Sequence, residues 1–224
     1  MSDAYIVRRG GGGEGFDVNG AVLKVITSTG CTVLVTGTGY SKTHQQADGF
    51  PRVGDANVTE HFFSIPASAF GTITVKATNT YGDNTKTITV NTAGKSYELL
   101  CGGINIILNS TFGLQEGFSI SGFYYTYNDR DKRIEGNNSS GSATLSPAIS
   151  VGPYEHFTVS FSSSGSSYTP SIYLREQDNH SIASVSTNSV SVIQKTSDIT
   201  NKYYPTASIE LGGRIAYVTE IVLS

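Results

Sequence analysis

The stretch from Gly71 to Val90 limits the fold more than any other part of this chain. In Gly71-Thr72-Ile73-Thr74-Val75-Lys76-Ala77-Thr78, apolar and polar side chains alternate. After Tyr81-Gly82-Asp83-Asn84, the run Thr85-Lys86-Thr87-Ile88-Thr89-Val90 alternates again. A period of two belongs to an extended strand, whose successive side chains leave opposite faces. Two such runs around a glycine-containing turn predict a β-hairpin with one face buried and one in water. Its outer face is rich in threonine, which fits a pleated surface and carries no charge.

The same grammar fills the rest of the sequence. Ala21–Thr27 and Cys31–Thr36 are β-branched runs broken by Ser28-Thr29-Gly30. Later strands are expected at 104–109, 118–121, 123–127, 157–161, 171–175, 182–186, 207–211 and 215–223. No segment keeps a helical period beyond about a dozen residues, and strands at this spacing indicate sandwiches rather than βαβ units. The expected fold is all-β. A Gly-rich arm, residues 1–19, precedes two β-sandwich domains, 20–95 and 96–224, divided at the composition break Asn91-Thr92-Ala93-Gly94-Lys95.

Composition removes several classes of function. The 224 residues are only 15% charged, yet they hold 29 Ser, 25 Thr and 25 Gly, with enough Phe and Tyr for a packed core. A net charge of −3 argues against a nucleic-acid partner, which calls for a basic stripe. It divides as +1 over residues 1–95 and −4 over 96–224, too little at either end to define a partner. No apolar run approaches the roughly 18 residues of a membrane span. Arg8 and Arg9 follow a very short apolar stretch, the reverse of a secretory signal, so synthesis without a signal peptide is expected. Cys31 and Cys101 are expected to be small buried hydrophobes, and the four histidines lack zinc spacing.

Candidate motifs for chemistry fail on inspection. Gly10–Gly13 lacks the strand, helix and Lys of a phosphate loop. Gly94-Lys95-Ser96 has Thr89 where a Walker motif needs its first Gly. Asp129-Arg130-Asp131-Lys132-Arg133-Ile134-Glu135-Gly136 opens like a calcium loop, but Arg133 occupies a ligand position and Gly136 comes too late. It reads as a solvated strand connection, and Glu176-Gln177-Asp178-Asn179 as a hairpin tip. No Gly-x-Ser-x-Gly elbow is present. Glu116, Asp129, Asp131, Glu155 and Glu176 could pair across a glycosidase cleft, but so many acids offer pairs by chance. The expectation is no enzyme, no metal and no cofactor.

The aromatics carry more information. Nine of thirteen tyrosines lie beyond Tyr97, and there is no Trp. Tyr125 and Tyr127 share one strand face and Tyr124 takes the other, while Tyr203-Tyr204 sit in a polar connection. A tyrosine with its ring on a surface suits sugar or protein contact. The candidate ligand-contact residues are Tyr125, Tyr127, Asp129, Arg130 and Tyr203.

Three stretches resemble known families. Ala4-Tyr5-Ile6-Val7-Arg8-Arg9 before four glycines resembles the start of phage and prophage tail, fibre or baseplate-type proteins of Gram-positive gut bacteria. Residues 71–90 resemble the last hairpin of bacterial immunoglobulin-like domains. Ile104-Asn105-Ile106-Ile107-Leu108-Asn109-Ser110-Thr111-Phe112 is similar to the opening of jelly-roll carbohydrate-binding modules. Tyr173-Leu174-Arg175-Glu176 to Ile182-Ala183-Ser184 is similar to one of their hairpins, and 216–223 to their closing strand.

Together these resemblances imply an immunoglobulin-like domain, then a jelly roll, in a non-enzymatic virion structural protein exposed on a particle surface. Its implied partners are other tail subunits and host cell-surface carbohydrate, with a homotrimer by analogy with tail fibres. A spacer or oligomerisation unit without glycan binding, and a glycan-acting hydrolase or accessory, stay open as alternatives. The family's structural calcium uses an acid after the opening Phe and acids in the closing strand. Gly113 and Thr219 stand at two of those places and leave Glu220 alone, so no calcium is expected.

Overall fold

Eight strands build the first sandwich: β1 Ala21–Ser28, β2 Thr32–Gly37, β3 Tyr40–His44, β4 Phe50–Arg52, β5 Asp55–Ile65, β6 Gly71–Asn79, β7 Gly82–Val90 and β8 Ser96–Leu100. The computed structural model describes residues 17–137, 139–165, 169–176, 180–188, 193–199 and 206–224. One sheet runs β4-β5-β1-β8 and the other β3-β2-β6-β7. The first seven strands thus take the places of B, C, C′, D, E, F and G in an immunoglobulin sandwich. Strand β8 occupies the place of A, arriving from the other end of the domain and pairing parallel to β1 from Val22↔Ser96 to Ile26↔Leu100.

The alternation dictates the packing. Leu23 and Val25 on β1 meet Val33, Val35, Ile73, Val75 and Phe63 in one closed core. The β6–β7 hairpin pairs Thr72 with Thr89 and Thr74 with Thr87 on its outer face. Cys31 and Cys101 are free and fully buried in this core, as expected. Burial pushes the Cys101 thiol up to about 11.

The boundary at residue 95 is corrected. Residues 91–95 are a turn, not a linker. The Tyr97 hydroxyl accepts the Asn91 and Thr92 N–H groups, 3.1 Å each, and donates to Asn91 Oδ1. Tyr97 and Leu99 then pack on the first core. The chain changes sandwich at Gly102-Gly103. There the Ser28 hydroxyl donates to the Gly102 carbonyl, and Asn79 Nδ2 to the Ile104 carbonyl at 2.6 Å. Half-buried Lys86 and Glu155 pair across the junction, and Ser150 Oγ donates to Asp55 Oδ2 at 2.8 Å. Of the expected arm, only 17–19 are described, and they form a turn closed by Gly20 N–H on the Asp17 carbonyl.

The second sandwich holds β9 Asn105–Asn109, β10 Gly113–Leu114, β11 Ser119–Ser121, β12 Tyr125–Asn128, β13 Arg133–Gly136 and β14 Gly141–Ile149. It continues with β15 His156–Ser163, β16 Ser171–Arg175, β17 Ser181–Ser186, β18 Ile193–Asp198, β19 Ala207–Gly213 and β20 Ile215–Leu223. Strand β20 is central in one sheet. It pairs with β15 along one edge, and with β13 and β9 in succession along the other. The other sheet runs β11-β14-β19-β16-β17. The first and last strands of the unit are neighbours, and Phe157 and Phe161 fill the jelly-roll core against Ile172, Leu174, Ile209 and Leu211. The expected tip at 177–179 lies outside the described residues. Among those described, no helix is long and apolar enough to cross a membrane.

Candidate functional site

Strands β12 and β13 form a hairpin whose register decides which side chains reach solvent. Tyr125 pairs with Gly136 and Tyr127 with Ile134. Ile134 is buried, so the two tyrosines turn inward with it and Thr126, Asn128, Arg133 and Glu135 turn outward. Glu135 Oε1 accepts Arg133 Nε and Asn128 Nδ2, both at 2.8 Å. These two donors, Arg133 foremost, hold the Glu135 carboxyl below the usual carboxylate range. The Arg133 guanidinium also reaches Asp131 at 3.1 Å and lies 5.1 Å from the Tyr217 ring centre.

Beside this polar array stand two rings. Phe123 is 93% exposed and Tyr124 37% exposed, and they meet edge to face at 5.8 Å. A Cβ on Gly141 would collide with the Tyr124 ring, so the absence of a side chain there lets the ring lie against β14. The Asn137 N–H donates to the Tyr124 carbonyl at 3.0 Å and fixes the segment. Phe123, Tyr124, Thr126, Glu135, Gly136 and Asn137 enclose a groove of about 180 Å³. It offers an apolar ring face, a carboxylate with free lone pairs, a hydroxyl and a carboxamide.

The predicted contact residues are distributed differently. Tyr125 is only 4% exposed, and its hydroxyl donates to the Gly213 carbonyl at 2.9 Å. It is a core residue and presents no face to a ligand, which corrects its assignment. Tyr127 is half-buried against the core, and its hydroxyl accepts the Leu114 N–H at 3.1 Å. Asp129 and Arg130 are exposed at the hairpin tip, with Asp129 paired to Lys132 at 2.8 Å. Lys132 holds the Asp129 carboxyl below its usual value. Tyr203 lies outside the described residues. The structure therefore brings together Phe123, Tyr124 and Glu135, none of which was singled out as a ligand contact.

The calcium set of the resembling modules does not fit these residues. A Cβ on Gly113 would overlap the Tyr127 hydroxyl and crowd the Lys132 chain. Thr219 Oγ1 donates to the Ser160 carbonyl at 3.3 Å, and the Glu220 carboxylate accepts Ser160 Oγ at 2.8 Å. No group of three or more His, Cys, Asp or Glu side chains converges among the described residues.

Among solved structures, the chain is similar to family 29 carbohydrate binding modules. A lysine-to-alanine variant shares 17% identity over 55% of this chain and 92% of its own, with a TM-score of 0.39. A glutamate-to-arginine variant shares 16% over 54% and 89%, with a TM-score of 0.40. A third, in complex with cellulohexaose, shares 15% over 54% and 89%, with a TM-score of 0.37. No protein-family model matches the sequence, and no curated protein matches it.

Proposed function

We propose that the second sandwich binds neutral glycan at the Phe123–Tyr124 groove and does so without turnover. The observation that carries this is Phe123, a ring left 93% in water beside a hydrogen-bonded polar array. An exposed aromatic face loses water favourably against the C–H face of a pyranose, while adjacent polar groups take its hydroxyls. Glu135 disfavours anionic sugars by like-charge repulsion. A glycosidase acid needs a raised pKa, whereas the Asp129 and Glu135 carboxyls of the β12–β13 hairpin are held below their usual range. That supports binding over hydrolysis.

Within this proposal the chain is a phage or prophage virion structural protein, its Ala4–Arg9 segment and glycines joining it to other tail subunits. The second sandwich then faces host-surface carbohydrate. This context rests on the wording of residues 4–13, which lie outside the described residues. Light scattering on the purified chain tests the trimer.

Glycan-array binding and calorimetry with cellohexaose and mannohexaose test the site. Phe123→Ala is expected to lower affinity at least about ten-fold, the loss of one good stacking contact. Glu135→Gln is expected to lower it less. An array without a neutral-glycan hit, or equal affinity for F123A and the parent chain, overturns the proposal and favours a spacer.

A further inference from the structure

A second depression lies where the two sandwiches meet, and it shares no lining residue with the Phe123–Tyr124 groove. It measures about 370 Å³, at the small end of ligand pockets. Asn57, Asn79 and Tyr81 come from the first sandwich, and Asn105, Gln115 and Phe118 from the second. No acidic or basic side chain appears in its described lining.

Most of its polar groups already have partners. Asn79 bonds Ile104 and Tyr81 backbone atoms, and the Ser28, Thr29 and Ser150 hydroxyls each donate within the protein. Gln115 Oε1 is different: it is buried and has no hydrogen-bond partner. An unmet acceptor of this kind costs on the order of 1–3 kcal/mol, so it favours an incoming donor. On the first-sandwich wall the Asn57 side chain is exposed. Tyr81 meets Phe112 edge-on at 6.2 Å, and Phe112, 61% exposed, extends the aromatic surface outward.

These features select a ligand class. A charged ligand would enter a cleft whose lining carries no charged side chain to pair with it, at a desolvation cost. A purely apolar ligand would leave Gln115 Oε1 unpaired. A neutral polyhydroxylated molecule meets both demands, its hydroxyls on the amides and its C–H face on Tyr81. We propose that this junction cleft is a separate binding site for a neutral saccharide of about one or two rings, at the size the cleft allows. The site takes one wall from each sandwich, so neither sandwich alone completes it. It is independent of the Phe123 groove.

The test is an amide chemical-shift titration of the full chain with cellobiose, mannobiose and maltose, with digalacturonate as the charged control. At least one neutral disaccharide is expected to shift Asn57, Tyr81, Ile104 and Ala148. Asn57→Ala combined with Gln115→Leu is expected to weaken that response about ten-fold, the value of about one hydrogen bond. Asn57→Ala alone, at an exposed position, provides a second reading of the same response if the double variant unfolds. Phe123→Ala is expected to leave the junction response unchanged, which separates failure here from failure of the other groove. Shifts confined to the Phe123 region, an equal response to digalacturonate, or no junction response to any disaccharide overturns the proposal.

Discussion

Two departures from the ordinary rule of burial, one in each sandwich, run in opposite directions. In the first, polar atoms are trapped inside: His61 is fully buried, and both of its ring nitrogens lack a partner. His44, its neighbour at 5.8 Å, stacks on Phe63 at 4.0 Å. In the second, apolar rings are left outside, with Phe112 and Phe123 turned to solvent. Buried polar groups and exposed large apolar groups are the departures that carry information. The first makes its domain sensitive to protons; the second makes its domain available for contact.

The sharpest way to break this comparison is to damage each core separately. Phe161→Ala in the second sandwich and Phe63→Ala in the first remove fully buried rings, each at a cost of about 3–5 kcal/mol. Residue-resolved urea unfolding is expected to show the larger loss in the sandwich that was altered. An equal loss in both would mean that the junction couples them into one cooperative unit.

Acid comes next in size. Burial, with His44 beside it, pushes His61 down to about 4 from an ordinary 6.5. The folded state keeps the ring neutral while the unfolded chain takes up a proton below 6.5. Stability is therefore lost as pH falls from about 6.5 to about 4, and this group removes no more below that. The loss is on the order of 3 kcal/mol. Urea melts across this range should show it in the first sandwich, and His61→Leu should remove most of it. The described histidines of the second sandwich, His156 and His180, are partly or fully exposed.

Smaller still is Tyr125→Phe, which deletes the hydrogen bond to the Gly213 carbonyl. It is expected to cost about 1 kcal/mol and leave glycan affinity alone, a split visible when melts and calorimetry are run on one preparation. Phe123→Ala completes the series, with stability within about 0.5 kcal/mol of the parent and glycan affinity lowered at least about ten-fold. A large destabilisation by F123A would mean that the ring is structural.

The hairpin from Gly71 to Val90 was legible because alternation and a glycine turn agree there. Strand β8 was not. Asn91–Lys95 has the composition of a linker, and the five residues after it are too short a run to announce a parallel partner 74 residues away. The face of Tyr125 and Tyr127 was legible in principle: Tyr-Thr-Tyr-Asn is itself an apolar–polar alternation that points the rings inward. Their shared face was read correctly, but solvent was placed on the wrong side of it. Phe123 carries no local signal, since its exposure follows from how the chain passes Ala143 at Gly122 and settles Tyr124 on Gly141.

The parallel pairing of β1 with β8 has a mechanical consequence. The chain enters the first sandwich at the start of β1 and leaves it at the end of β8, and those two points lie at opposite ends of one strand pair. Tension along the chain therefore pulls the two strands lengthwise past each other. The bonds from Val22 with Lys95 through to Ile26 with Cys101 are loaded together, not opened one at a time as in a hairpin pulled from its free ends. The first sandwich is thus arranged to resist a pull along the direction of this strand pair.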